Sequence, residues 1–136
     1  MAEFVWPVRV YYEDTDSGGV VYYANYLKFM ERARTEYLRH LGFEQDRMRA
    51  EDGVIFAVHS LSVEYARPAR FNDALEVSAR VSSLAKASVV FEQSIRKTGE
   101  DAVLCRGEVR IACLDAERFR PKAIPAQLYA EMLNEC

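Results

Sequence analysis

The sequence predicts an α+β fold in which one curved antiparallel sheet wraps around a single long helix. From Val20 to Leu41, apolar and aromatic side chains recur at intervals of three and four, which is typical of one amphipathic helix. From Val54 onward, apolar and polar residues alternate instead, as they do in half-buried strands. No strand–helix–strand alternation follows the first helix, so a doubly wound parallel sheet is not expected.

The individual elements follow from the same patterns. β-branched and aromatic residues predict a first strand over Val8–Tyr12, and a cluster of Asp, Thr, Ser and Gly predicts a turn over Glu13–Gly19. Gly42 follows the last periodic residue of the long helix and is expected to end it. The remaining predictions are strands over Ile55–Tyr65, Leu75–Leu84, Ser88–Lys97 and Val103–Leu114, a hairpin turn over Thr98–Asp101, a loop or short helix over Glu44–Gly53, and a terminal helix over Ala123–Asn134 with Pro125 in its first turn.

Length and composition restrict the class of protein. The chain has 136 residues and is expected to form one domain over residues 1–136, because two good cores need a longer chain. A net charge of −3 provides no overall basic field, so binding of nucleic acid is not expected. The three cysteines lack metal-ligand spacing, so a metal ion is not expected either. The N-terminal residues lack the pattern of a signal peptide, and no apolar run approaches about 20 residues, which favours a cytoplasmic protein.

Asp16 is the first candidate for a reactive group, because it lies a few residues before the predicted start of the long helix. A helix N-terminus offers unpaired N–H groups and the positive end of the macrodipole, and both stabilise charge that develops on a carbonyl oxygen. Gly18 and Gly19 have no side chains, so an extended substrate can approach the backbone there. A carboxylate in this position can attack a carbonyl or deprotonate water, and its alternative role is to cap the helix.

A series of motifs carries a resemblance to a known family. Tyr11–Asp16 reads Tyr-Tyr-Glu-Asp-Thr-Asp, Gly19–Tyr22 reads Gly-Val-Val-Tyr, and Glu31–Glu36 reads Glu-Arg-Ala-Arg-Thr-Glu. Further along, Glu64–Asp73 reads Glu-Tyr-Ala-Arg-Pro-Ala-Arg-Phe-Asn-Asp. In this order the motifs resemble the hot-dog acyl-CoA thioesterases related to 4-hydroxybenzoyl-CoA thioesterase, and among them the bacterial YbgC-like branch associated with the Tol–Pal cell-envelope system. The order of predicted elements matches a hot-dog fold over essentially the whole chain.

The resemblance implies roles for particular residues. Asp16 aligns with the family's catalytic carboxylate, and the backbone N–H of Tyr23 aligns with the donor that polarises the thioester carbonyl. The branch usually has histidine in place of Tyr23, so the expected mechanism uses Asp16 and backbone donors rather than an imidazole. Asn25 is expected either to orient the Asp16 loop or to be exposed, and Asp14 is expected to be a solvated turn carboxylate. The residues expected to contact substrate are Gly19, Val20, Tyr22, Asn25, Tyr26, His59, Glu64, Lys86 and Ser88, of which Lys86 and Ser88 correspond to part of the nucleotide contact of relatives.

The predicted reaction is hydrolysis of an acyl-CoA thioester, or of the same thioester on acyl carrier protein, to a free acid and a thiol without a metal or redox cofactor. Relatives form dimers that often pair into tetramers, so a homodimer or homotetramer is expected, with His59 or Glu64 facing Asp16 across the subunit interface. A hot-dog dehydratase is disfavoured because neither His40 nor His59 lies in a histidine–carboxylate motif. The alternative from a different class is a non-catalytic module that binds acyl-CoA or docks to an envelope complex.

Overall fold

The chain folds into one antiparallel sheet and three α-helices within residues 3–136, which the computed structural model describes. The elements are β1 (Phe4–Arg9), α1 (Asn25–His40), α2 (Gln45–Asp52), β2 (Val54–Tyr65), β3 (Ala74–Ala85), β4 (Ser88–Lys97), β5 (Val103–Asp115) and α3 (Ala126–Glu135). Across the sheet the strand order is β1-β3-β4-β5-β2, and every neighbouring pair is antiparallel. This arrangement confirms the predicted α+β architecture with one long helix.

The apolar face of α1 forms the centre of the core. Phe29, Met30, Ala33 and Tyr37 recur at helical spacing and are at most 2% exposed. Burial of each of the large side chains among them contributes roughly 1.5–3 kcal/mol to stability. The helix approaches β5 closely, since a Cβ added to Gly107 would lie 3.0 Å from the Met30 side chain. Glycine at this point therefore allows the helix to lie directly on the sheet.

The first strand lies earlier than predicted. β1 covers Phe4–Arg9, whereas the sequence prediction was Val8–Tyr12. Val10 lies outside the strand, and its N–H donates to the carbonyl of Asp73, in the connection before β3, at 3.0 Å. β1 forms one edge of the sheet, where Pro7 is tolerated because an edge strand need not donate every N–H.

The long helix begins later than predicted, at Asn25 rather than Val20. Val20 forms an antiparallel bridge with Arg70, and Val21 forms one with Thr15, so the backbone here is extended. The prediction was wrong at this end because the two valines are apolar and continue the helical spacing. Both valines bridge to other segments of the chain, and the local sequence pattern does not reveal such partners.

The other elements are confirmed with small shifts at their ends. The four later strands and the hairpin turn lie where they were predicted. The segment Glu44–Gly53 contains the short helix α2, and Gly42 follows α1 with a φ of +95°. α3 begins at Ala126, so Pro125 lies just before the helix rather than in its first turn. None of the helices within residues 3–136 is both long and apolar enough to cross a membrane.

β2 forms the second edge of the sheet and exposes apolar side chains. Val58, Leu61 and Tyr65 are between 44% and 48% exposed. A bulge interrupts the pairing with β5 between Val58 and Ser60 and leaves His59 exposed on this edge strand. An exposed apolar edge strand is a ready template for pairing with another chain.

Candidate active site

The loop from Asp14 to Val20 carries the candidate carboxylate, Asp16. The loop closes on itself, because the Asp16 N–H donates to the Val20 carbonyl at 2.9 Å and the Gly19 N–H donates to the Asp16 carbonyl at 3.0 Å. Gly19 has a φ of +79°, a conformation that residues with side chains rarely adopt. Glycine therefore lets the chain turn back toward α1 and leaves the Asp16 side chain exposed.

One oxygen of the Asp16 carboxylate is bound within the loop and the other is free. Oδ1 accepts the Gly18 N–H at 2.8 Å, whereas Oδ2 makes no hydrogen bond with any residue from 3 to 136. A Cβ on Gly18 would lie 3.2 Å from Oδ1, so glycine leaves room for the carboxylate. Asp16 does not cap α1, since the helix begins without a side-chain cap. The carboxylate is thus held in place while one oxygen stays available.

The turn before α1 presents an unpaired backbone donor at Tyr23. The Asn25 N–H donates to the Tyr22 carbonyl at 2.8 Å, which closes a turn with Tyr23 and Ala24 at its centre. The Tyr23 N–H makes no hydrogen bond within the described residues 3–136. It lies just before α1 rather than inside it, close to the positive end of the helix macrodipole. This donor is therefore free to bind an oxygen that gains negative charge.

Asp14 and Asn25 join the Asp16 loop to the start of α1. Both side chains are buried, and Asn25 Nδ2 donates to the Asp14 carbonyl at 2.9 Å. The Tyr22 N–H donates to the same carbonyl at 2.9 Å. The prediction of a solvated Asp14 was wrong, because its carboxylate turns inward and accepts the Tyr11 N–H at 2.8 Å. Asn25 occupies the orienting position that was one of its two predicted roles.

An aromatic groove of about 270 Å³ opens beside the Tyr23 donor. The Tyr26 and Tyr65 rings meet edge to face with centroids 5.5 Å apart, and the Tyr26 hydroxyl accepts the Ala69 N–H at 2.9 Å. Burial raises the pKa of Tyr26, and the negative charge of Asp16 acts in the same direction. Val21, which lines the groove, forms a bridge with Thr15, so the groove adjoins the Asp16 loop. The full lining is Val21, Tyr23, Tyr26, Tyr65, Ala66, Arg67 and Pro68.

Comparison with known protein families identifies the family of this chain. Residues 10–132 match the model of the thioesterase-like superfamily. The chain belongs to this superfamily. The acyl-CoA thioester hydrolase YbgC of Escherichia coli O6:H1 is 48% identical to it over 128 residues, which cover 94% of each chain. The acyl-CoA thioesterase YbgC of Haemophilus influenzae is 44% identical over 127 residues, which cover 93% of this chain and 92% of the relative.

Solved structures of other proteins have the same fold as this chain. A hypothetical protein from Thermus thermophilus has a TM-score of 0.90 at 30% identity, with 98% of this chain and 100% of that chain covered. A 1,4-dihydroxy-2-naphthoyl-CoA thioesterase from Synechocystis has a TM-score of 0.90 at 18% identity, with 98% and 97% covered, and this likeness concerns the fold alone. The matches confirm the hot-dog fold and the resemblance to acyl-CoA thioesterases that the motifs implied.

Several predicted contact residues lie away from Asp16 in the same thioesterase-like chain. Lys86 lies in the turn between β3 and β4, and Ser88 begins β4, whereas the Asp16 loop lies beside the start of β3. Because β3 has 12 residues, these two ends of the sheet are about 36 Å apart. His59 is exposed at the bulge, and Glu64 is exposed on the face of the sheet that carries Arg80, Arg106 and Glu108. A single chain therefore does not bring these four residues to Asp16.

Sequence reasoning missed four exposed cationic residues at one end of the sheet, Lys86, Arg118, Arg120 and Lys122, which are called the basic surface below. Arg118 and Lys122 share a surface depression with the acidic residues Asp115 and Glu117. The Ile124 N–H donates to the Lys86 carbonyl at 2.9 Å, which holds the β3–β4 turn against the segment after β5. The occurrence of three cations within residues 118–122 was the available signal, although the sequence does not reveal that this segment returns to Lys86.

A small apolar cavity of about 130 Å³ lies between α1 and the sheet. Phe56 and Val58 of edge strand β2 form part of its wall, together with Phe91 of β4. Arg34 lies at the same cavity and donates from Nη1 to Gln93 Oε1 at 2.9 Å. Burial lowers the pKa of the Arg34 guanidinium. The cavity is therefore mostly apolar, with one polar corner near α1.

Proposed function

We propose that this protein hydrolyses acyl-CoA thioesters, with Asp16 as the reacting carboxylate and the Tyr23 N–H as the donor to the carbonyl oxygen. The supporting observation is an exposed carboxylate with a free oxygen, on a loop that is bonded directly to a turn with an unpaired N–H. During hydrolysis, negative charge develops on the thioester oxygen, and one positioned donor lowers the barrier by about 3 kcal/mol.

Two routes for Asp16 are compatible with this arrangement. The free Oδ2 either attacks the acyl carbon to form an anhydride that water then opens, or takes a proton from the water that attacks the carbon. In both routes the carbon–sulfur bond breaks and the sulfur leaves with a proton as the thiol of coenzyme A. In the general-base route the oxygen of water ends in the carboxylic acid, whereas water that opens the anhydride at the Asp16 carbon leaves its oxygen in Asp16 and an Asp16 oxygen in the acid. Isotope labelling in a single turnover separates them, because only direct attack transfers an Asp16 oxygen to the product.

The basic surface is the proposed contact for the phosphates of coenzyme A. Phosphate oxygens bind Lys and Arg through charge-assisted hydrogen bonds. The net charge of the chain is −3, so its overall field does not attract an anionic substrate, and a local group of cations would have to supply that attraction. Lys86 belongs to this surface and Ser88 lies beside it, which supports the proposal that both contact the nucleotide.

A dimer formed through β2 would combine the basic surface of one chain with Asp16 of the other. Antiparallel pairing of β2 with a second copy of itself brings the C-terminal end of one strand to the N-terminal end of the other. Lys86 and Ser88 belong to that N-terminal end, because Ser88 and Ala57 both pair with Ala112. The exposed apolar side chains of β2 support this pairing. Within one chain the Asp16 loop and Lys86 are about 36 Å apart, the length of β3, so one substrate that contacts both regions requires the second copy.

Sedimentation at micromolar concentration tests the proposed dimer. The wild-type protein should sediment as a dimer or as a tetramer of paired dimers, and Leu61→Arg on the β2 edge should yield monomers with little hydrolysis. Val5→Arg is the matched control, because Val5 is 45% exposed on the opposite edge strand, β1, and Leu61 is 44% exposed. A wild-type monomer with full activity would contradict the composite site.

The apolar cavity is the proposed site for the acyl group. Phe56 and Val58 place it at the β2 edge, where the second copy would present its Asp16 loop. Its volume of about 130 Å³ is close to that of an engineered cavity of about 150 Å³ that binds one benzene molecule. We therefore expect short-chain or single-ring acyl groups to be hydrolysed faster than long chains.

A thiol-release assay with short, long and aromatic acyl-CoA thioesters tests the proposed function. Steady release from at least one thioester, fastest with the small acyl groups, is the expected result. The alternative is a non-catalytic module, for which the exposed edge and basic surface are the favouring observations. Binding of acyl-CoA measured by calorimetry, without thiol release from any thioester, would establish that alternative and reject the enzyme.

Three narrower expectations remain part of the proposal. Acyl carrier protein would present the same thioester as acyl-CoA, and acyl carrier protein thioesters in the same assay test whether the protein accepts that carrier. A cytoplasmic location is supported by free Cys105, Cys113 and Cys136, which suit a reducing compartment. Association with the Tol–Pal system is supported by the likeness to the YbgC-like branch, and co-purification with that system tests it.

A further inference from the structure

The carbonyl of Tyr23 makes a hydrogen bond that links the candidate donor turn to the edge strand. The hydroxyl of Tyr65, the last residue of β2, donates to the Tyr23 carbonyl at 3.0 Å. The two residues are 42 positions apart in the chain. Among residues 3–136 this is the only hydrogen bond made by the Tyr23 carbonyl.

Tyr65 is itself held firmly, so its hydroxyl is a fixed point for the turn. Its backbone pairs with Cys105 in β5, and the next residue, Ala66, donates its N–H to the Leu104 carbonyl at 2.9 Å. Its ring lies edge to face against buried Tyr26, with centroids 5.5 Å apart. Burial raises the pKa of the Tyr65 phenol, so the hydroxyl keeps its proton and remains a donor at neutral and mildly alkaline pH.

Backbone hydrogen bonds hold both ends of the turn, whereas its central peptide, Tyr23–Ala24, is held only by the hydroxyl of Tyr65 within residues 3–136. The N–H of Tyr22 is bonded to Asp14, and the carbonyl of Tyr22 is bonded to the N–H of Asn25. The N–H groups of Tyr23 and Ala24 have no partner within residues 3–136. The orientation of the Tyr23–Ala24 peptide therefore depends on the hydroxyl of Tyr65 and on local backbone preferences.

Local preferences already exclude one alternative orientation. Ala24 has a φ of −71°, and a flip of the central peptide would require a φ near about +80° at this position, which alanine avoids. The hydroxyl of Tyr65 therefore does not decide whether the Tyr23–Ala24 peptide is flipped. It restricts the range of orientations that this peptide adopts in the unflipped turn. Small errors of aim matter here, because a displacement of about 1 Å in a site can lower the rate by about 100-fold.

We infer that Tyr65 is a positioning residue for hydrolysis: its hydroxyl fixes the Tyr23–Ala24 peptide and, through the Cα of Tyr23 that joins this peptide to the preceding one, limits the movement of the free N–H of Tyr23 beside the groove. The inference rests on the proposed thioesterase function. A carbonyl that accepts a hydrogen bond also makes the N–H of its own peptide a stronger donor, so Tyr65 strengthens the Ala24 N–H as a donor. Because Tyr65 lies on β2, the strand proposed to pair with a second copy, it also connects the subunit edge with the donor turn.

Tyr65→Phe tests the inference, because it removes the hydroxyl and keeps the ring. We expect kcat to fall by about three- to tenfold, the factor that corresponds to one ordinary hydrogen bond, while KM changes by less than about twofold. Tyr129→Phe on α3 is the control for loss of a tyrosine hydroxyl far from the site and should leave kcat unchanged. Both variants should remain folded and keep the sedimentation of the wild type.

Amide hydrogen exchange provides a readout that a purely structural role would not change. In Tyr65→Phe the amide of Asn25, whose bond to the Tyr22 carbonyl closes the turn, should exchange faster, whereas amides in the middle of β2 should keep their protection. A wild-type kcat, or a loss of kcat that matches an increase in unfolded protein with unchanged exchange at the turn, would overturn the inference. Asp16→Asn is measured in parallel, because its retained activity would reject the proposed function whatever Tyr65→Phe does.

Discussion

Replacing Asn25 by aspartate tests whether the Asp16 loop depends on its link to α1. The substitution keeps the shape of the side chain but puts an acceptor oxygen where Nδ2 donates to the Asp14 carbonyl at 2.9 Å. For Asn25→Ala we expect the free energy of unfolding to fall by about 1 kcal/mol, because the carbonyl keeps its bond from the Tyr22 N–H. For Asn25→Asp we expect about 3 kcal/mol, because a carboxylate would then face a carbonyl oxygen at a site only 8% exposed.

Urea unfolding measures these differences, and thiol release measures their effect on the reaction. We expect kcat to fall by about tenfold in Asn25→Ala and further in Asn25→Asp, because the Asp16 loop loses its fixed position. Mildly acidic conditions should restore part of the stability of Asn25→Asp, since a protonated carboxyl group can donate to the Asp14 carbonyl. Asn134→Asp, at an exposed site, is the control. The reasoning is refuted if Asn25→Asp is as stable and active as the wild type in alkaline buffer, or less damaging than Asn25→Ala.

Two further predictions concern the cysteines and the loop glycine. Burial raises the pKa of Cys105 to about 12 and that of Cys113 to about 11, so both stay protonated at neutral pH, and thiol titration of the native protein should detect only exposed Cys136; rapid reaction of a second thiol would contradict this. Gly19→Ala should lower stability by about 1 kcal/mol through its φ of +79° alone, since no atom of residues 3–136 lies within 4 Å of an added Cβ, and should also lower kcat. Gly99→Ala, with a φ of +83° and equally open surroundings, should lower stability to the same extent in urea unfolding but leave kcat unchanged, and equal effects on kcat would argue against a role for the loop.

The central helix and the later strands were predictable because burial imposes a period on the sequence. Phe29, Met30, Ala33 and Tyr37 must all face the sheet, and their spacing records that requirement. The start of α1 was not predictable in the same way, because Val20 is apolar for a different reason. It lies in a bridge to Arg70, and a bridge between distant segments leaves no local period.

The candidate site shows the same division between local and distant information. Motifs in order predicted Asp16 and Tyr23 as site residues, and both lie on one continuous segment. They gave no indication that Asp14 is buried, since its partner is the backbone N–H of Tyr11 rather than a side chain. The bond from Tyr65 to Tyr23 spans 42 residues and follows from the sheet pairing alone. The basic surface likewise depends on how the segment after β5 returns to Lys86.

Steady-state thiol release from Asp16→Asn tests the central claim, that the Asp16 carboxylate carries out thioester hydrolysis. The substitution keeps the oxygen that accepts the Gly18 N–H at 2.8 Å and removes the charge and the basicity. We predict a fall in kcat of at least about 100-fold, as for loss of a reacting acid or base. Asp46→Asn removes another exposed carboxylate that accepts a backbone N–H at 2.8 Å and should leave kcat unchanged. A folded Asp16→Asn variant with the kcat of the wild type would contradict the claim.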